Sequence, residues 1–570
     1  MNKMSENKIC QNCKNDFIIE PEDFNFYEKI KVPPPTFCPR CRSVRRMATA
    51  NERVLYKRKC DLTGKDIFSM FRENAPFPVY ETSKWYSDEW DPYQYAMDYD
   101  FTRPFFEQFK DLMNKVPRMS LVRQGFSTNS EYTNRVTDMK DSYMIFRATR
   151  SQDSMYSYNA IDIINCVDCF NVHSCELCYE AIDCHKCYRT LFSQECTECR
   201  DSMFLYACKN CSNCIGCVNL VNQEYCIWNI KYSKEEYEKK LKEMNLHTSF
   251  GLSKMEQEFD IFRKKFPQRS RMSLKSNKVS GNWFTNCQNV EQSFTCDDVK
   301  DGKYLYFVFA AQDCMDYFQW GNKSELIYES QNCGLNSSRL AFCTQCWTGA
   351  HDLYYCDSCP SSGNCFGCVG LKKGEYSILN KKYSKVEYEE MLPKIKQHML
   401  DMPYIDKKSR VYKFGENFPI ELSVFPYNET AAADFYPMTQ EEIIESGYEY
   451  RELERKNYQA TIKNTDLPDS IEKVQDSILN EVIECGDKDN SRSVGAFRVT
   501  QNEVSFYRKM DLPIPKYSFN IRHLNRFNKR PKLEIIKRNC DKCGVEVDTV
   551  YTEAYSPIIY CEECYKQEVY

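Results

Sequence analysis

Eight cysteines near the ends of the chain stand in CxxC pairs: Cys10 and Cys13 with Cys38 and Cys41, then Cys540 and Cys543 with Cys561 and Cys564. Thiols two residues apart on a turn can face one ion, and a second pair closes a tetrahedron around it. Four thiolates leave no position open for substrate, so each site is expected to hold its module together rather than to catalyse. Histidine is scarce, 6 residues against 33 cysteines in 570. The donor set is therefore soft and favours zinc or iron–sulfur over copper or calcium. The expected cofactor is Zn2+, two ions per chain, each contributing on the order of 10 kcal/mol of binding energy to a unit with a small core.

The two sets are related. A constant offset of 480 aligns Phe17 with Phe497, Phe26-Tyr27 with Phe506-Tyr507, and Pro33 and Pro35 with Pro513 and Pro515. It also aligns Cys60, Gly64 and Tyr80 with Cys540, Gly544 and Tyr560. With no gap needed, this implies one parental unit carrying two CxxC…CxxC sets. The N-terminal copy keeps the first set and the C-terminal copy the second. Asn490, Ser493, Ser518 and Ile521 stand where the first set would recur; Cys60, Thr63, Glu81 and Lys84 stand where the second would. Cooperative ligation explains the loss of whole sets, and Cys60 is expected to be a metal-free leftover.

Cations crowd the same places. Residues 29–65 hold eleven Lys or Arg, opposed by Glu52 and Asp61, and residues 508–542 hold eleven more, in a chain of net charge −5. Arginines beside a four-cysteine site can stabilise its residual negative charge through hydrogen bonds to sulfur. Yet Arg522 and Arg526 persist at the positions of Arg42 and Arg46, where the thiolates are gone. Two such patches are the footprint of a phosphate backbone. The expected grip consists of Arg42, Arg45, Arg46, Lys57, Arg58, Arg522, Arg526, Arg530, Lys537 and Arg538, with RNA or a ribosome-associated site favoured. The alternative is a protein–protein scaffold with purely structural zinc.

Around the first site, Cys10, Cys13, Phe17, Glu22, Phe26-Tyr27, Pro35 and Cys38-Pro39-Arg40-Cys41-Arg42 form a pattern that resembles a bacterial zinc-ribbon family: CxxC, an aromatic, an acidic turn, Phe-Tyr, Pro, then CPxCR. The resemblance covers about 35 residues and implies metal binding. The whole layout also resembles large bacterial proteins with ribbons at both ends and a Cys-rich repeat between them. Neither resemblance implies an activity, and the CPxCR is missing from the C-terminal copy.

These modules must be carried by the middle of the chain. From Cys166 to Cys226 every cysteine falls on one residue class modulo three. Several recur at a lag of 21, which suggests a parallel β-solenoid with coils of about twenty residues; lags of 9 and 12 are also populated. A Cys-lined solenoid core is the favoured reading, and a metal array the competing one. A second duplication, offset 151 at Cys214 and Cys365, ends each time in Tyr-Ser-Lys-x-Glu-Tyr-Glu. Ser233 with Glu236, and Ser384 with Glu387, read as capping boxes.

The expected fold is mixed and mainly β: terminal zinc-ribbon or treble-clef units flanking a duplicated Cys-lined β-solenoid with helical insertions. Its parts are a ribbon unit over 1–84, an aromatic strap and helix over 85–124, and a first solenoid half over 125–232. A helical insertion over 233–280 leads to the second half over 281–383. Helices and linker over 384–484, with a helix near 470–483, lead to a ribbon unit over 485–570. Helices are expected at about 234–267 and 385–400. No run reaches the roughly 18 apolar residues of a membrane span, and the N-terminus has no apolar stretch like a signal peptide, so a cytoplasmic location is expected. An enzyme is the weaker reading: the sequence has no P-loop, GxGxxG or HExxH. A carbohydrate-active groove on the solenoid rests on fold analogy alone.

Overall fold

The computed structural model describes residues 4–452 and 459–569; residues 453–458 of the expected linker lie outside it. Two parallel β-solenoids form the body. Their ladders run from Arg123–Thr128 to Glu224–Ile227 and from Ser273–Leu274 to Glu375–Ile378. Each belongs to a 10-stranded sheet whose neighbours follow chain order.

The coil is twelve residues, not about twenty: Phe146 pairs with Tyr158, and Tyr158 with Phe170. Every third residue turns a corner in the left-handed region, as at Asn159 (φ 54), Asp162 (54), Asn165 (50) and Asp168 (55). A coil is therefore four three-residue sides. The residue after each corner points inward and is buried: Cys166, Cys169, Val172 and Cys175 make one coil. This explains the cysteine class modulo three. Twelve is one coil and nine is three sides, so a lag of 21 is their sum and stacks nothing.

Asn and Asp suit the corners because they tolerate positive φ, and they bond from coil to coil. Asn159 donates to Asn171, and Asn171 to Asp183. In the second solenoid the coil lengthens to thirteen, with Ala311 opposite Ser324, Glu325 opposite Ser338, and Ser338 opposite His351. Three such coils move the cysteines through all three residue classes and back into phase.

Each solenoid closes with an antiparallel turn, Cys226 opposite Lys231 and Ser377 opposite Lys382. The two capping boxes then start the helices Lys234–Glu243 and Lys385–Asp401. Glycine is required in the last coils. A Cβ on Gly216 (φ 65) would meet Met255 at 2.8 Å, and one on Gly367 (φ 64) would meet Phe105 at 2.7 Å. The expected helix at 234–267 breaks after Glu243 and resumes as Ser249–Arg263. The stretch near 470–483 forms short 3-10 turns, Ile471–Lys473 and Asp476–Asn480, rather than a helix. Its acidic start caps a different helix: Asp469 accepts from the N–H of Ser249 and Phe250.

The terminal modules share one plan of hairpin, two helices and hairpin. In the first, the helices are Pro21–Lys29 and Pro39–Met47. In the second, they are Gln501–Met510 and Phe519–Asn528. Each module touches both solenoids. Val79–Tyr80 pairs with Arg118–Met119 at the mouth of the first, while the Pro39–Met47 helix lies on the second. Ile559–Tyr560 pairs with Gln268–Arg269 at the mouth of the second, while the Phe519–Asn528 helix lies on the first. The aromatic strap packs Trp85, Trp90 and Phe105 against the end of the second solenoid, beside Gly367 and Gly370.

Candidate metal centres

The hairpin Glu6–Ile9 with Asp16–Ile19 makes a tight turn that carries Cys10 and Cys13. The N-terminus of the Pro39–Met47 helix carries Cys38, as its N-cap, and Cys41. The second centre is built alike, from the Ile536–Asn539 and Glu546–Thr549 hairpin and the start of the Glu562–Val569 helix. In each group the four sulfurs lie within 4.8 Å of one another, as four ligands of one ion must. Both groups can hold a metal ion; they are the two such groups among the described residues.

Backbone N–H groups prepare the sulfurs for negative charge. The Cys38 N–H donates to the Cys10 sulfur at 3.3 Å, and the Cys561 N–H to the Cys540 sulfur at 3.3 Å. Asn12 Nδ2 donates to Cys41 at 3.3 Å. Hydrogen bonds from its neighbours hold the Cys10 thiol far below its ordinary range. Burial opposes ionisation at Cys540, but the N–H groups of Cys561, Cys543 and Lys542 outweigh it and lower that thiol to about 6. Cys13 and Cys543 are exposed.

The lost sites show a feature that the ungapped alignment hid. Phe17 pairs with Lys8 and Asp16 with Ile9; Phe497 pairs with Ile483 and Ala496 with Glu484. Cys10 is therefore matched by Cys485, not by Asn490. The Cys10 N–H donates to Asn15 five residues on, and the Cys485 N–H to Gly495 ten residues on. The C-terminal turn has grown by five residues. The Ser518 N–H donates to the Cys485 sulfur at 3.3 Å, just as the Glu81 N–H donates to the Cys60 sulfur at 3.3 Å. Each dead site has lost three ligands and kept the first. That cysteine survives because its sulfur still receives the N–H at the third ligand's position. Among the described residues, neither Cys60 nor Cys485 belongs to a metal-capable group.

The central thiols are directed at backbone carbonyls. Cys166 donates to the carbonyls of Ile164 and Cys175 at 3.5 and 3.4 Å, and the pattern i−2 and i+9 recurs along the ladders. Burial pushes thiols such as Cys166 and Cys296 well above their ordinary range, in the neutral form that donates.

Six of the ten basic side chains expected at a nucleic-acid surface are buried in ion pairs with the solenoids. Arg42 and Arg46 share Asp316 at 2.7 and 3.1 Å, and Arg45 reaches Glu329 at 2.8 Å. Arg522 and Arg526 share Asp168 at 3.1 and 2.9 Å; Arg526 also reaches Glu180 at 2.7 Å, and Arg530 reaches Asp183 at 2.8 Å. The equivalent arginines thus hold one equivalent aspartate in each half. This is why Arg522 and Arg526 outlived the thiolates beside them. Arg58 and Arg538 brace their own hairpins, through Asp61 and the Arg72 carbonyl, and through the Tyr551 and Ser556 carbonyls. Lys57 and Lys537 are exposed, and Lys537 pairs with Glu546 at 2.6 Å. Single-residue reading missed the acidic partners because they are spread through the repeats.

Fold and site together define a class: a double solenoid clasped by two four-cysteine modules. Compared with known proteins, the chain matches no family model and no curated protein. No helix among the described residues is long and apolar enough to cross a membrane.

Proposed function

We propose that the protein is a zinc-stapled, non-enzymatic scaffold, with two structural Zn2+ ions and a double solenoid that presents surface to a protein partner. Soft donors in fours, close enough to share an ion, suit zinc, and the zinc-ribbon resemblance around Cys10–Cys41 supports the same ion. Closed four-thiolate sites offer no place for substrate. The observation that carries the scaffold reading is the burial of Arg42, Arg45, Arg46, Arg522, Arg526 and Arg530 against solenoid carboxylates. Guanidiniums buried inside the fold cannot reach the backbone of an external nucleic acid, so binding of RNA or a ribosome would fall to Lys57, Lys537 and their neighbours.

Two measurements test this. Metal analysis of purified protein should give two zinc per chain; Cys13→Ser and Cys543→Ser should each lose one, and Cys199→Ser none. Five or more zinc, or loss of zinc in Cys199→Ser, would favour a metal array. A labelled single-stranded or duplex RNA should show no salt-dependent anisotropy change at low ionic strength. Binding that weakens steeply with salt would return the nucleic-acid reading.

A further inference from the structure

Beyond the Cys41 end of the Pro39–Met47 helix, the N-terminal module, the strap helix Phe105–Lys115, the second solenoid and residues 417–425 enclose a cavity of about 40 Å³. At 10–15 Å³ per water, this is room for about three waters or one small oxyanion. One wall is aromatic: Phe71, Phe109, Phe418 and Phe425. The other carries three guanidiniums, Arg45, Arg46 and Arg118, with the amides of Gln331 and Gln345.

These guanidiniums are 3%, 2% and 8% exposed. Each uses one Nη nitrogen on a carboxylate: Arg45 on Glu329, Arg46 on Asp316, and Arg118 on Asp357 at 2.5 Å. Each then leaves Nε and the other Nη with no acceptor among the described residues, and Gln331 leaves both its amide atoms. Buried donors without acceptors are costly, and seven such nitrogens around one space call for an occupant rich in acceptors. On Arg118 the two remaining nitrogens are Nε and Nη2, the edge that meets two oxygens of a carboxylate or phosphate at once.

The four guanidiniums around this space are matched by four acids. Arg42, Arg45, Arg46 and Arg118 face Asp316, Glu329 and Asp357 in direct contact, with Glu416 as the fourth acid. One Glu416 oxygen accepts from Thr36 and the other lies 3.8 Å from Arg45 Nη1. Burial pushes the Glu416 carboxyl up, against the lowering pull of Arg45 and of the Thr36 donors.

We infer that this cavity is a binding site for one small oxyanion, phosphate-, sulfate- or carboxylate-sized, held by Arg45, Arg46, Arg118 and Gln331 against the aromatic wall. Calorimetric titration of the zinc-loaded full chain tests it, with sodium phosphate, sodium sulfate and sodium acetate at an ionic strength matched by sodium chloride. The expected result is saturable binding of at least one of them at one per chain. Gln331→Leu, which keeps the bulk of the side chain, should weaken it by about tenfold, equivalent to 1.4 kcal/mol. Arg118→Lys keeps the charge facing Asp357 but removes the two-nitrogen edge, and should abolish it. Unchanged zinc content and circular dichroism show that a variant is folded; if Arg118→Lys is not, Gln331→Leu decides. No saturable heat with any of the three anions would mean that the cavity holds only water and would overturn the inference. So would binding that is equal in wild type and variants.

Discussion

Glu195 shows how a single residue couples the modules to pH. It occupies a corner of the first solenoid, 6% exposed, where Tyr551 and Gln268 donate to its two oxygens at 3.2 and 3.5 Å. Burial, reinforced by the charge of Asp183, raises its carboxyl from 4.5 to about 7. A raised folded pKa means that the folded state binds the proton more tightly. The stabilising contribution is complete below 4.5 and is lost as pH rises through about 7. Glu195→Gln should therefore leave thermal stability unchanged at pH 5 and raise it at pH 8.5, by about 1–3 kcal/mol. Equal melting temperatures at pH 8.5 would show that the carboxylate is solvated there. At this scale the eight metal-capable cysteines were legible, because ligand spacing is local. Cys485 was not, since its equivalence to Cys10 runs through a turn that changed length.

The solenoid coil is the element on which everything else is mounted, and its corners can be tested one at a time. Asn210 sits at a corner with φ 49, is exposed, and donates to Asn222 one coil on. A β-branched residue there meets the left-handed penalty of about 1–2 kcal/mol and loses the bond. Asn210→Val should lower the denaturation midpoint clearly, and Asn210→Gly should lower it less; a reversed order would contradict the corner geometry. The period of three was readable in the cysteines alone. The period of twelve was obscured because inward places accept any small or apolar side chain, such as Ala160, Val172, Ala181, Thr190 and Ser193. Packing tolerates that exchange where ligation would not. The capping boxes were legible for the opposite reason: a helix start is written within four residues. The stretch at 470–483 carried a helix-like start, but its acidic residue is used on another helix, which local sequence cannot reveal.

On the scale of the whole molecule, the charge pairs decide how the ends are fastened. Arg42 meets Asp316 across 274 residues and Arg522 meets Asp168 across 354. No local window contains both partners, so each arginine cluster reads as a surface patch until the fold closes. Asp434 adds a central tie: it pairs with Arg53 of the first module at 2.8 Å and Arg492 of the second at 2.6 Å, beside buried His523. Since each module spans both solenoids, the intact protein is expected to unfold in one cooperative step. Asp168→Asn leaves Arg522 and Arg526 buried with a shared counter-charge removed. Stranding buried charge in this way costs about 3–5 kcal/mol. The variant should still hold two zinc, because the Cys540–Cys564 centre lies on the other hairpin of the module. Amide exchange should rise along Gln501–Met510 and Phe519–Asn528 while the first solenoid's ladder stays protected. Asp316→Asn should do the same at the N-terminal helices Pro21–Lys29 and Pro39–Met47. If either substitution changed stability by less than about 1 kcal/mol, the value of an exposed pair, these arginines would not be what fastens the modules, and they would be free to serve an external phosphate.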